Sequence, residues 1–187
     1  LWKGICTDEA IREAENLSGK KTEYTIVSYG VLFFVSEGSM DILIFVFEII
    51  GTVAFSVSGA MTGLKKNMDI FGVMILGVIT AIGGGVIRDL VLGITPPGTF
   101  GRPVYAIVAT VTAIITFLPA VHRLITRNQH IRDFVLLVLD SLGLGVFTVV
   151  GIQTAYRASS ENSIFLILFV GVITGVGGGV LRDVLAG

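Results

Sequence analysis

From Ile42 onward the chain is a succession of apolar runs of about 20 residues or more, separated by short polar connections. Runs near 42–63, 68–93, 103–121, 134–156 and 163–187 each reach the length a tilted helix needs to cross roughly 30 Å of hydrocarbon. The connections carry turn and charge signals: Lys65-Lys66-Asn67, Thr95-Pro96-Pro97-Gly98, His122 to Arg132, and Arg157 to Asn162. This pattern predicts five membrane-spanning helices. Residues before Met40 read differently, with DEAIREAENL in a short helical pattern and YTIVSYGVLFFV as a brief apolar run that resembles a strand and is too short to span a bilayer. They also lack the basic start, apolar centre and small-residue cleavage site of a signal peptide. We therefore divide the chain into a polar N-terminal appendage, residues 1–40, and a membrane domain, residues 41–187.

Composition narrows the class. With 53% hydrophobic and 14% charged residues and a mean hydropathy of +0.88, the chain lies outside the water-soluble range and reads as an integral membrane protein of the cell membrane, in contact with lipid. No basic patch points to nucleic acid. Cys6 is the only cysteine, so no internal disulfide forms, and the absence of a His/Cys cluster predicts neither metal nor cofactor. Catalysis has little support: His122 and His130 have no acid at triad-like spacing, no HExxH occurs, and the glycines are not followed by Lys-Ser/Thr. Lys65, Lys66, Arg123, Arg127 and Arg132 follow runs one and three, against Arg102 and Arg157 on the other side. The positive-inside rule then predicts a cytoplasmic location for the former loops, with the residue-41 end outside.

The membrane domain repeats itself. GVITAIGGGVIRDLVLG at 77–93 returns as GVITGVGGGVLRDVLAG at 171–187, an offset of 94. FEIIGTVAFSVSG at 47–59 aligns with LDSLGLGVFTVVG at 139–151, an offset of 92 that pairs Glu48 with Asp140, Gly51 with Gly143, Phe55 with Phe147 and Gly59 with Gly151. A unit of three spans inverts in its second copy, because an odd number of crossings starts the next copy from the opposite side. The fold expected is an all-α polytopic bundle of inverted three-helix repeats, about 41–122 and 133–187, with Gly-kinked second helices. The second repeat ends at Gly187 before a third helix, so the sequence is expected to be short of at least one span.

Two groups of residues carry the candidate chemistry. Gly83, Gly84 and Gly85, with their counterparts Gly177, Gly178 and Gly179, each cost about 1 kcal/mol against alanine in a regular helix. Three in succession face nearly all round the axis, which favours a kink or an opened turn over one contact face. An opened turn at membrane depth is tolerated where it is buried or lines a wet cavity, so the triplets are candidate pore linings. Thr80 and Thr174 lie one turn before them; their hydroxyls either join that lining or bond back to carbonyls of their own helices. The second group is charged: Glu48, Arg88, Asp89, Asp140, Arg182 and Asp183, each costly in a span unless paired or wet. Matching depths predict two pseudo-symmetric ion pairs, Glu48 with Arg88 and Asp140 with Arg182. Asp89 and Asp183 are expected to point elsewhere, because neighbours at i and i+1 do not share a helix face.

These motifs resemble those of the prokaryotic trimeric intracellular cation (TRIC) channel family, whose sequences also carry the description of glycine-transporter-like membrane domains. The resemblance covers residues 41–187. It implies a homotrimer with a pore in each protomer, narrowed where helices two and five bend at the glycine triplets, and seven spans in all. It also implies passive conduction of monovalent cations, potassium above all. In that setting Arg88 and Arg182 would repel cations unless paired, and movement of the pairs would gate the pore. Two other classes stay open at this point: a secondary transporter for a small solute such as glycine, and a structural or sensor bundle driven by the appendage.

Overall fold

The computed structural model describes residues 37–118, 129–158 and 163–187, and all regular structure among them is helical. The elements are α1 (Glu37–Lys65), α2 (Ile70–Val91), the single-turn α3 (Gly98–Gly101), α4 (Val104–Phe117), α5 (Gln129–Ala158) and α6 (Ile164–Ala186). Ile44–Gly187 forms one compact unit. The expected helix and strand of the appendage fall outside the described residues.

Among the described residues, four helices are long and apolar enough to cross a membrane: Ile42–Lys65, Ile70–Val91, Arg132–Ala158 and Ile164–Ala186. The protein is a multi-pass membrane protein, and its outward surface agrees. Ile107, Val111 and Ile115 form an exposed stripe on α4, and Val172 on α6 is 58% exposed, a pattern suited to lipid as solvent. The predicted third span, 103–121, differs from the helix observed. α4 ends at Phe117, and its 14 residues reach about 21 Å at 1.5 Å per residue, less than the hydrocarbon thickness. Leu118 is extended (φ −56, ψ 137) because it precedes Pro119, whose ring disfavours a helical predecessor. The expected Thr95 to Gly98 loop also runs into a helical turn, α3, that the sequence pattern did not announce.

Local chemistry fixes the turns. After α1, Met68 N–H donates to Gly63 O at 3.0 Å and Asn67 N–H to Leu64 O at 3.1 Å, with Asn67 at φ 55. This pattern caps two of the carbonyls left over at a helix end and puts asparagine in the left-handed region it tolerates. Asp69 then opens α2 by accepting from Gly72 N–H at 2.9 Å. α2 closes the same way, with Gly93 at φ 71 and Ile94 N–H donating to Asp89 O at 2.8 Å.

α6 packs against both α5 and α2, and α2 packs against α4. α1 joins this set through Ser56, whose hydroxyl donates to Ala109 O of α4 at 2.6 Å. Side chains within reach of these crossings are small or threaded, including Ala54, Ala60, Ala81, Ala109 and Ala113, all buried. Such residues let membrane helices approach closely, where dispersion rather than water exclusion supplies the attraction.

Candidate functional site

The glycine triplets lie at the crossing of α2 and α6. α2 is α-helical through Gly83–Gly85, and α6 through Gly177–Gly179. The opened turn expected at the triplets is therefore corrected: no run of backbone groups is released there. Close approach explains the glycines instead. A Cβ on Gly84 would fall 2.3 Å from Thr174 O, and one on Gly178 would fall 2.4 Å from Thr80 O. Each triplet thus sits against the carbonyl one turn ahead of the other triplet. The three members do face different surroundings, as three consecutive helix positions must. Gly83 meets Leu181, Gly84 meets the α6 backbone, and Gly85 borders a cavity.

Thr80 and Thr174 are fully buried, and their hydroxyls donate back to Leu76 O and Val170 O, each at 2.6 Å. This is the second of the two alternatives drawn from the sequence. Their side chains fill the contacts with α1 and α5, where a Cβ on Gly59 or Gly151 would lie 2.6 Å from the respective Oγ1.

The charged residues other than Asp89 divide between two cavities at opposite ends of the repeat. The first, about 280 Å3, is bordered by Glu48, Thr52, Gly85, Arg88, Arg102 and Tyr105. The second, about 430 Å3, is bordered by Thr62, Lys65, Lys66, Asp140, Arg182 and Asp183. Equivalent positions recur in both: Glu48 and Asp140, Arg88 and Arg182, and also Thr154 and Thr62 at the same offset of 92.

The two ends are not wired alike. Arg182 Nη1 donates to Asp140 Oδ1 at 2.6 Å and Oδ2 at 2.7 Å, which is the pairing expected there. Ser58, fully buried on α1, completes it by donating to Asp140 Oδ1 at 2.6 Å and accepting from Arg182 Nη1. At the other end the expected Glu48–Arg88 pair is corrected. Glu48 accepts from the Tyr105 hydroxyl, and Arg88 Nε donates to Asp89 Oδ1 at 2.8 Å. Position 150, the counterpart of Ser58, holds the buried Val150, so no hydroxyl from that position joins Glu48 to Arg88; the Tyr105 hydroxyl lies instead between Glu48 and Arg102.

A second correction concerns Asp89 and Asp183, which were expected to point away from their arginines. Both accept from the preceding residue's Nε, at 2.8 Å in each case. A guanidinium on a flexible stem turns back along the helix surface, whereas the i, i+1 rule describes Cβ directions. Asp89 also accepts the Gly98 N–H at 2.8 Å with its second oxygen, holding the start of α3. Its side chain is 2% exposed, so this pair is a buried charge fully committed to partners.

Ser58 and Tyr105 are the residues that sequence reasoning missed. Ser58 carried a signal, as a polar side chain inside an apolar span. Tyr105, in the first turn of α4, reads as an interfacial aromatic anchor until its hydroxyl is seen against Glu48.

Comparison with known proteins follows the same residues. The family model described as Glycine transporter matches 45–120 and 137–187, taking in both repeats. The chain belongs to that family. Its relatives include the UPF0126 inner membrane protein YadS of Escherichia coli (strain K12), 41% identical over 144 residues, and a UPF0126 membrane protein of Vibrio cholerae, 40% identical over 152 residues. These matches cover 77% and 81% of the chain but only 66% and 61% of the relatives, so the chain spans less than two thirds of their length. Among solved structures, the fold matches a TRIC trimeric intracellular cation channel orthologue from Rhodobacter sphaeroides with TM-score 0.70 and 36% identity, over 78% of this chain and 71% of that one. A prokaryotic TRIC channel solved in 0.5 M KCl matches with TM-score 0.71 and 33% identity, over 79% and 72%. The resemblance to the TRIC channels read from the repeated motifs is borne out, as is the helical membrane fold.

Proposed function

We propose that the complete protein is a passive monovalent cation channel, with potassium as its principal ion and one conduction path in each protomer of a homotrimer. The observation that carries this reading is the pair of cavities at opposite ends of an inverted repeat, each bordered by an acid and an arginine from equivalent positions. A fold shared with cation channels supports it. Acidic side chains at both ends favour cations over anions, and committing Arg88 to Asp89 and Arg182 to Asp140 and Asp183 mutes the repulsion the arginines would exert. We place the Lys65, Lys66 and Arg123–Arg132 loops in the cytoplasm by the positive-inside rule.

The test is a planar-bilayer recording on the full-length protein in potassium. Unitary currents that persist unchanged in excess glycine are expected. Saturable glycine uptake into liposomes without unitary current would replace the channel by a carrier. Orientation is checked separately, by labelling Lys66→Cys in a Cys6→Ser background with a membrane-impermeant thiol reagent, which should react from the cytoplasmic side alone.

A further inference from the structure

Two aromatic rings occupy the centre of the repeat, and neither cavity's charge chemistry uses them. Phe55 on α1 and Phe147 on α5 hold equivalent positions and stack with centroids 5.4 Å apart and planes 18° from parallel. They are 2% and 7% exposed. Each ring is seated in the other repeat's glycine. A Cβ on Gly143 would lie 2.6 Å from the Phe55 ring, and a Cβ on Gly51 would lie 2.9 Å from that of Phe147. Residue 51 therefore meets 147 while 55 meets 143, so α1 and α5 run antiparallel at this level.

That direction fixes where the rings stand between the acids. Glu48 precedes Phe55 by seven residues and Asp140 precedes Phe147 by seven, about 10 Å of helix in each case. The stack lies midway between the two acidic positions. Phe147 also borders the first cavity, and Phe55 lies against Gly178 at the α2–α6 crossing, 3.2 Å from a Cβ built there. Around the stack are Ala81, Ala109, Val78 and Ile82, which offer no side-chain oxygen to an ion leaving its hydration shell.

We propose that the Phe55–Phe147 stack is the apolar barrier between the two cavities, so that cations cross only when the rings separate. The inference rests on the channel reading and adds the residues that limit passage. An apolar constriction gates by excluding water, because an ion that cannot keep its water and finds no replacement oxygens does not enter. The two glycine seats allow the rings to lie flat against the opposite helix and to meet each other.

The experiment measures potassium flux into liposomes holding the full-length protein, with assembly checked by size-exclusion chromatography. Phe147→Ala and Phe55→Ala are each expected to raise basal flux several-fold, while Phe147→Leu, which keeps an apolar plug, leaves it close to wild type. Phe147→Tyr retains the ring's volume and adds an oxygen at the constriction, so it should also raise flux; it serves if the alanine variants do not assemble. Assembled Phe147→Ala, or Phe147→Tyr, with flux at or below wild type would assign the stack to packing alone and overturn the proposal. Absence of wild-type flux at every voltage is seen before any variant is compared. It would end the channel reading, and this inference with it.

Discussion

Replacing Gly84 by alanine tests whether the triplets exist for close crossing. The added Cβ would lie 2.3 Å from Thr174 O, against an ordinary C···O approach of about 3.3 Å, so α2 and α6 must part by roughly 1 Å. The obstructing atom is a helical carbonyl, which cannot swing away as a flexible side chain would. Overpacking of this kind costs about 1–3 kcal/mol, and the rigid neighbour places it at the upper end. Alanine returns about 1 kcal/mol of helix propensity, leaving a net loss of about 2 kcal/mol. For a chain of this size that is roughly 4–8 °C in melting temperature, readable by thermal unfolding of the detergent-purified protein. Gly178→Ala should fall by a similar amount, since its Cβ would meet Thr80 O at 2.4 Å. Gly179 supplies the contrast, because nothing lies within 4 Å of a Cβ there, and alanine should hold or raise the melting temperature. If Gly84→Ala melts at or above wild type, or if Gly179→Ala is the more destabilised of the two, the crossing is not what the triplets serve.

Other substitutions separate the remaining features. Asp140→Asn leaves Arg182, whose side chain is only 11% exposed, without its bidentate partner, and should cost about 1–3 kcal/mol; Glu48→Gln keeps an acceptor for Tyr105 and should cost less than about 1 kcal/mol by the same melting assay. Ser58→Ala combined with Asp140→Asn should show a coupling of about 0.5–3 kcal/mol in a double-mutant cycle, whereas Val150→Ala with Glu48→Gln should be additive. Asn67→Gly should be neutral or slightly stabilising, because φ 55 suits glycine, and Asp69→Ala should cost about 0.5–2 kcal/mol through loss of the N-cap to Gly72. Neutralising Arg88 or Arg182 should alter open probability or conductance in single-channel records, and unchanged currents would remove both from the conduction path.

Apolar periodicity and run length made the helices legible, and the offsets of 92 and 94 made the inversion legible, because both are properties of the chain alone. The Asp140–Arg182 pair followed from depth counting. What depth counting does not contain is lateral competition. Arg88 had Asp89 beside it and Glu48 had Tyr105 across from it, and neither rival is visible to an argument that matches residues by level. The triplets show a similar limit. Propensity marks them as costly in an isolated helix, but the compensation comes from a second helix, and only the crossing at Gly84 and Gly178 shows what is gained.

The divergence of the two ends has a compact physical origin. Both repeats place an acid, an arginine and a following aspartate at equivalent positions, and both arginines use Nε on that aspartate. The outcome then depends on what else is within reach. At the Asp140 end the Ser58 hydroxyl donates to the acid and accepts from the arginine, so it bridges charges on two helices from a third. At the Glu48 end Val150 offers no hydrogen bond, Asp89 spends its second oxygen on the Gly98 amide, and Tyr105 takes the glutamate. The Ser58 hydroxyl, together with the rival contacts of Asp89 and Tyr105 at the other end, thus separates a three-helix polar junction from separate engagements of Arg88 and Glu48. Ser58→Val should therefore loosen Asp140 from Arg182, leaving α1 free of the junction, while Val150→Ser alone should not create its mirror image, because Arg88 and Glu48 are already engaged. A crystal structure of Val150→Ser with Arg88 turned onto Glu48 would show instead that the serine decides the pairing by itself.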